Sequence, residues 1–110
     1  MKARNLGTFE LTVMLALIRL GDGAYGIAIS REIEETGGKA ASLGSIYATL
    51  GRLEAKGLVS SSVGEPTPER GGRAKKYFRV TAEGLREMRE TQRLLKRMWH
   101  GLRELEGSRA

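Results

Sequence analysis

Apolar positions along this chain recur with more than one period, and the periods divide it into elements. From Thr8 to Leu20 they crowd a helix nearly all round. Phe9, Val13, Ala16, Leu17 and Leu20 share one side; Leu11, Met14, Leu15 and Ile18 cover another. Such a helix must be buried on two sides. Its own domain can cover one, and a second subunit is the simplest cover for the other. Thr8 is the expected N-cap. Gly21-Asp22-Gly23 reads as a turn. Tyr25 to Thr36 reads as a short helix with Ile29 and Ile33 facing inward, stopped by Gly37-Gly38. A third helix is predicted from Leu43 to Gly57. Ser42 offers its N-cap hydroxyl, Ile46, Leu50 and Leu53 share one face, and Gly57 supplies the left-handed end that favours glycine. Ser45, Thr49, Arg52 and Lys56 are expected on the opposite face.

The period then shortens. Leu58 to Val63 and Tyr77 to Thr81 read as two strands of a hairpin, with Phe78 and Val80 on one face and Tyr77 and Arg79 on the other. The segment between them carries Pro66, Pro68, Gly71 and Gly72, which do not suit regular structure. Thr81 and Glu83 open a last helix, expected to run to about Glu106. Its positions Leu85, Met88, Gln92, Leu95, Trp99 and Leu102 alternate three and four apart, the seam of a coiled coil. Leu94, Met98 and Leu105 form a second row beside it. An apolar stripe projecting past the hairpin needs a partner, so this helix reads as a dimer arm, with Leu11, Leu15, Leu85, Met88, Leu95, Trp99 and Leu102 as the expected dimerisation residues. Three short helices joined by glycine turns, followed by a hairpin, make a mainly α (α+β) winged helix-turn-helix with a C-terminal dimerisation helix. Residues 1–81 are expected to form the DNA-binding unit and 82–106 the dimerisation helix of the same compact domain. Residues 1–5 are expected to fray and 107–110 to form a disordered tail.

Charge gives this architecture a partner. There are 19 Lys and Arg against 13 Asp and Glu, a net +6 over 110 residues. That balance favours nucleic acid or an acidic membrane. The run from Leu11 to Leu20 is too short to span a bilayer, and no small-residue cleavage pattern follows it. No membrane partner is expected, and the predicted location is cytoplasmic. The absence of cysteine excludes a disulfide scaffold and a thiolate metal site. His100, the sole histidine, has no acidic cluster near it in sequence, so no metal is expected. Neither a Ser/His/Asp arrangement nor a phosphate-binding glycine loop is present, so the chain does not read as an enzyme and no cofactor is expected.

Within the positive balance, residues 58–80 carry five Lys and Arg against two Asp and Glu. Arg70, Gly72, Arg73, Lys75 and Lys76 are expected to form a wing, its cations on phosphates and its glycines allowing close backbone approach. Ser45, Thr49 and Arg52 are the positions of the third helix best suited to a major groove, with Ser42 and Lys56 at its ends. Tyr25 and Gly26 open the second helix, where backbone N–H groups can meet a phosphate. The rival reading is a protein-interaction module whose basic face meets an acidic partner and not DNA.

Three stretches, YGIAISREI, SLGSIYATLGRLEAKGLV and RGGRAKKYFRVTAEG, together resemble the PadR family of winged-helix transcriptional regulators over roughly residues 6–100. The short C-terminal part is similar to the compact subfamily with a single final helix. Many members carry proline after the helix tyrosine; here Ala48 follows Tyr47. The resemblance implies a homodimeric repressor on a pseudo-palindromic double-stranded operator, released in some members by a small, flat aromatic inducer. It also implies that the Tyr47 hydroxyl donates to a phosphate. Phe9, Val13, Met88, Leu95 and Trp99 are then candidate ligand-binding residues of a central pore. The plainer expectation is that Trp99 packs the dimer interface.

Overall fold

The computed structural model describes residues 6–64 and 75–105. Helix α1 (Thr8–Leu20) leads through a 3₁₀ turn (Gly21–Gly23) to α2 (Gly26–Gly37) and α3 (Leu43–Ala55). Strands β1 (Val59–Val63) and β2 (Lys76–Val80) follow, then α4 (Ala82–Trp99) and a 3₁₀ turn (Arg103–Leu105). The result is the mainly α winged helix anticipated above. The strands pair antiparallel from Val59↔Val80 to Val63↔Lys76. The segment entering α2 borders the hairpin: Phe78 donates its N–H to the Ala24 carbonyl at 2.9 Å, and Tyr25 bridges to Tyr77.

The core is made by Val13, Met14 and Leu17 of α1, Ile29 and Ile33 of α2, and Ile46, Leu50 and Leu53 of α3. Leu58, Val59 and Phe78 close it from the hairpin. Apolar burial of this kind is the main stabilising contribution. Met14, which the periodicity put on the partner-facing side of α1, belongs to this core; Leu15 and Ile18 are the exposed residues there.

Helix ends explain the other departures. Thr8 begins α1 and does not cap it. The N-cap is Gly7, whose N–H donates to Glu10 Oε1 at 3.0 Å. In α3 Ser42 is the cap, its Oγ accepting from the Ser45 N–H at 3.1 Å. That helix stops at Ala55, and Gly57 turns the chain into β1 with φ of 78°. Helix α4 ends at Trp99, several residues before the expected Glu106. His100 is extended and Gly101 has φ of 79°, so the chain turns there.

The first turn of α4 is fastened to the end of α3. Thr81 donates its N–H to the Leu58 carbonyl at 3.0 Å and its hydroxyl to the Gly57 carbonyl at 2.8 Å; its Oγ1 accepts from the Gly84 N–H. Gly84 is buried in this joint. Only Gly84 and Met88 of α4 are buried, so most of its apolar stripe lies open. Among the described residues no helix is long and apolar enough to cross a membrane.

Candidate nucleic-acid interface

The start of α2, the first turns of α3 and the start of β2 converge on one aromatic and cationic patch. Tyr25 is the N-cap residue of α2, and its ring meets Tyr77 of β2 edge-on at 5.6 Å between centroids. Lys75 Nζ stands 4.8 Å above the Tyr25 ring, and Lys76 Nζ lies 5.8 Å from the Phe78 ring. A cation over an aromatic face is held by the ring quadrupole while its remaining donors stay in water. Tyr47 reaches from α3 across to Gly26 and lies 6.4 Å from Phe78 between ring centroids. Its hydroxyl occupies the space that a Cβ on residue 26 would need. Glycine at that position therefore seats the tyrosine against the first turn of α2, where backbone N–H groups lack helical partners. Tyr47 remains 46% exposed, enough to meet a partner from outside.

The exposed surface of α3 differs from the expected one. Thr49 is 2% exposed and accepts a hydrogen bond from Arg52 Nη2 at 3.1 Å, so it drops out of the accessible set. Its γ-oxygen and methyl are small enough to turn inward beside Ile46, Leu50 and Leu53. Ser45 is exposed, but its hydroxyl accepts from the Ser42 hydroxyl at 3.0 Å. Arg52 and Lys56 are exposed on the flank of α3 that faces α1. Lys56 Nζ donates to Glu10 Oε2 at 3.2 Å, and Arg52 Nε lies 3.8 Å from the same oxygen. Between the flanks runs a line of small exposed residues, Gly44, Ala48, Gly51 and Ala55. A Cβ added at Gly44 or Gly51 would meet nothing within 4 Å. This line could have been read from its helical spacing. Glu10 could not, because its partners lie more than forty residues away and only the packing of α1 on α3 brings them together. Tyr77 was legible only as a strand residue.

Of the wing residues, Lys75 and Lys76 stand at the start of β2. Arg70, Gly72 and Arg73 lie outside the described residues. Among the described residues no group of His, Cys, Asp or Glu could hold a metal ion.

The exposed apolar residues of α1 and α4 line a groove of about 380 Å³. Leu11, Leu15 and Ile18 form one wall; Leu85, Met88, Leu95 and Trp99 form the other. Trp99 is 56% exposed. Two of the candidate ligand residues do not line this groove. Val13 points wholly into the core, and Phe9 is half-buried against that core, away from the groove. Met88 borders the groove but is mostly committed to the core. Leu102 lies past the end of α4, in the turn that follows it, and is exposed.

Similarity to known proteins extends over most of the chain. The model of the transcriptional regulator PadR-like family matches residues 14–90. A PadR-like transcription factor from Bacteroides fragilis is 26% identical, with 84% of each chain covered and a TM-score of 0.71. A PadR family regulator from Eggerthella lenta DSM 2243 is 31% identical over 91% of this chain and 89% of its own, with a TM-score of 0.66. RosR from H. salinarum is 26% identical over 94% of this chain and 86% of its own, with a TM-score of 0.67. No curated protein sequence matches the chain.

Proposed function

This chain belongs to the PadR-like family of transcriptional regulators, which are DNA-binding proteins and not enzymes, and we propose that it acts as a homodimeric repressor of a pseudo-palindromic operator. The observation that carries the dimer is the open groove between α1 and α4. A chain of this size does not leave Leu15, Ile18, Leu95, Met98 and Trp99 in water without cost. A second copy of the same face covers them isologously, as a two-fold dimer requires. The two α3 helices then enter successive major grooves about 34 Å apart.

The proposed DNA contacts follow the accessible residues. Tyr47, Tyr25 and the first backbone N–H groups of α2 address phosphate, with Lys75, Lys76 and the wing residues Arg70 and Arg73. Ser45 and Arg52 flank the small outward line of α3 and are the candidates for base contacts, with Ser42 as the cap that fixes their register. The small line itself lets the helix backbone approach the bases closely. We propose further that a small aromatic inducer enters the groove beside Leu95 and Trp99 and shifts the spacing of the two readers. Such a ligand must bind the two spacings unequally to release DNA. Residues 1–81 serve as the reading unit and α4 as the arm, in the cytoplasm.

Binding to random-sequence duplex DNA, titrated with salt, tests the first part. Affinity that falls steeply with salt is expected; no binding at low salt would favour a protein-interaction module instead. Sedimentation of Trp99→Arg tests the second. The variant is expected to sediment as a monomer, and an unchanged sedimentation coefficient would refute the arm. Quenching of Trp99 fluorescence by flat aromatic compounds, with loss of DNA binding, is the expected sign of an inducer.

A further inference from the structure

The cations at the end of the reader helix have a built-in competitor. Arg52 lies on α3 and Lys56 caps its C-terminus, and both lean on one acidic side chain, Glu10 in the first turn of α1. Lys56 Nζ donates to Glu10 Oε2 at 3.2 Å, with Arg52 Nε 3.8 Å from that oxygen. The other carboxylate oxygen accepts the Gly7 N–H at 3.0 Å. The Glu10 side chain is 12% exposed, whereas those of Arg52 and Lys56 are 57% and 43% exposed. The acid is thus sheltered and the cations lie over it. Burial pushes the Glu10 carboxyl up, but the Gly7 N–H, the Lys56 hydrogen bond and the charges of Lys56 and Arg52 hold it below the usual carboxylate range. It is ionised wherever the protein meets DNA. With Glu54 also on α3, the positive and negative charges at this end of the reader cancel.

We propose that Glu10 is a specificity-determining residue: its carboxylate holds Lys56 and Arg52 against α1 and so keeps them off the phosphates of arbitrary DNA. The proposal rests on the DNA-binding reading above. Each cation on a phosphate strengthens binding to every sequence alike, by about 0.9 in the slope of log K against log salt. A reader stripped of that charge adds little to the non-specific background and leaves sequence-independent grip to the wing. The hold is firmer on Lys56, a direct hydrogen bond, than on Arg52. Arg52 can therefore leave for a guanine edge, which receives a guanidinium through two hydrogen bonds.

The test is salt-titrated binding to random-sequence duplex DNA for wild type, Glu10→Gln, Glu54→Gln and the double variant Glu10→Gln, Lys56→Gln. Glutamine keeps an oxygen for the Gly7 N–H, so the start of α1 is preserved. Glu54→Gln removes the same charge from α3 itself, but among the described residues that carboxylate accepts from the Ser61 hydroxyl at 2.7 Å and not from a cation. Glu10→Gln is expected to steepen the slope by about 1 to 2 and to tighten random binding about eightfold per released cation at about 0.1 M salt. Glu54→Gln should move the slope less than half as far, and the added Lys56→Gln should take back about one unit. A wild-type slope in Glu10→Gln would overturn the proposal while leaving DNA binding intact. Equal effects of Glu10→Gln and Glu54→Gln would also overturn it, because net charge alone would then explain the gain. A wild type that binds no duplex at low salt would remove the DNA-binding reading and this proposal with it.

Discussion

Two glycine-to-alanine substitutions, chemically identical, should move the stability of this protein in opposite directions. Gly84 sits in the first turn of α4, buried against the α3–β1 junction. A Cβ there would overlap the Leu58 carbonyl oxygen outright and stand 2.7 Å from Val80 Cγ1 and 3.1 Å from the Leu58 carbonyl carbon. The obstruction is mostly backbone. That carbonyl also accepts the Thr81 N–H, and Thr81 binds the Gly57 carbonyl, so the junction cannot yield without losing hydrogen bonds. Overpacking of this kind costs about 1–3 kcal/mol, and rigid neighbours place Gly84→Ala toward the upper end, at about 2–3 kcal/mol. For a domain of this size each kcal/mol lowers Tm by about 4–8 °C, so a fall of about 10–20 °C is expected. Gly51, on the outward line of α3, is the control. A Cβ there meets nothing within 4 Å. Alanine in an open helix interior is favoured over glycine by about 0.8–1 kcal/mol, so Gly51→Ala should raise Tm by about 3–8 °C. Thermal melts followed by far-ultraviolet circular dichroism measure both, at one fixed protein concentration because self-association would make Tm depend on it. A Gly84→Ala melt within about 2 °C of wild type would refute the joint between α4 and the hairpin.

Other expectations follow from single contacts. Gly26→Ala pushes on the Tyr47 hydroxyl, the movable end of a half-exposed side chain, so DNA affinity should fall while Tm drops by less than about 8 °C. A collapsed melt with intact binding would reverse that assignment. Ser42→Ala removes the acceptor for the Ser45 N–H and should cost about 1 kcal/mol, read as a Tm fall of about 4–8 °C; Ser42→Asp should restore most of it, since a carboxylate also caps. Glu10 has a folded pKa below its ordinary 4.5, so its ion pairs contribute stability above that value and lose it as pH falls through the lowered one. Acid melts below about pH 4.5 should therefore differ less between wild type and Glu10→Gln than melts at neutral pH.

Much of this fold was legible from spacing alone. Ile46, Leu50 and Leu53 declare the buried face of α3; Ser42 and Gly57 bracket that helix because a cap hydroxyl and a left-handed glycine are local requirements. Ile29, Ile33 and Phe78 were likewise readable as core, and the glycine turns as breaks. Local chemistry decides such things, so the sequence by itself determined the order and type of the elements. It did not determine which residue at the edge of a face turns inward. Thr49 is polar, yet it is buried because it is small and Arg52 covers it. Met14 is apolar on both readings of α1, and only the position of the neighbouring helices assigns it to the core. The end of α4 at Trp99 is set by the turn at Gly101, where an otherwise good heptad pattern continues. The site shows the same division. The cationic character of the site was written in the sequence, because composition and proximity along the chain carry it. The seating of Tyr47 on Gly26 and the hold of Glu10 on Lys56 were decided only in three dimensions, because each joins residues from separate helices that nothing but packing brings within hydrogen-bonding range.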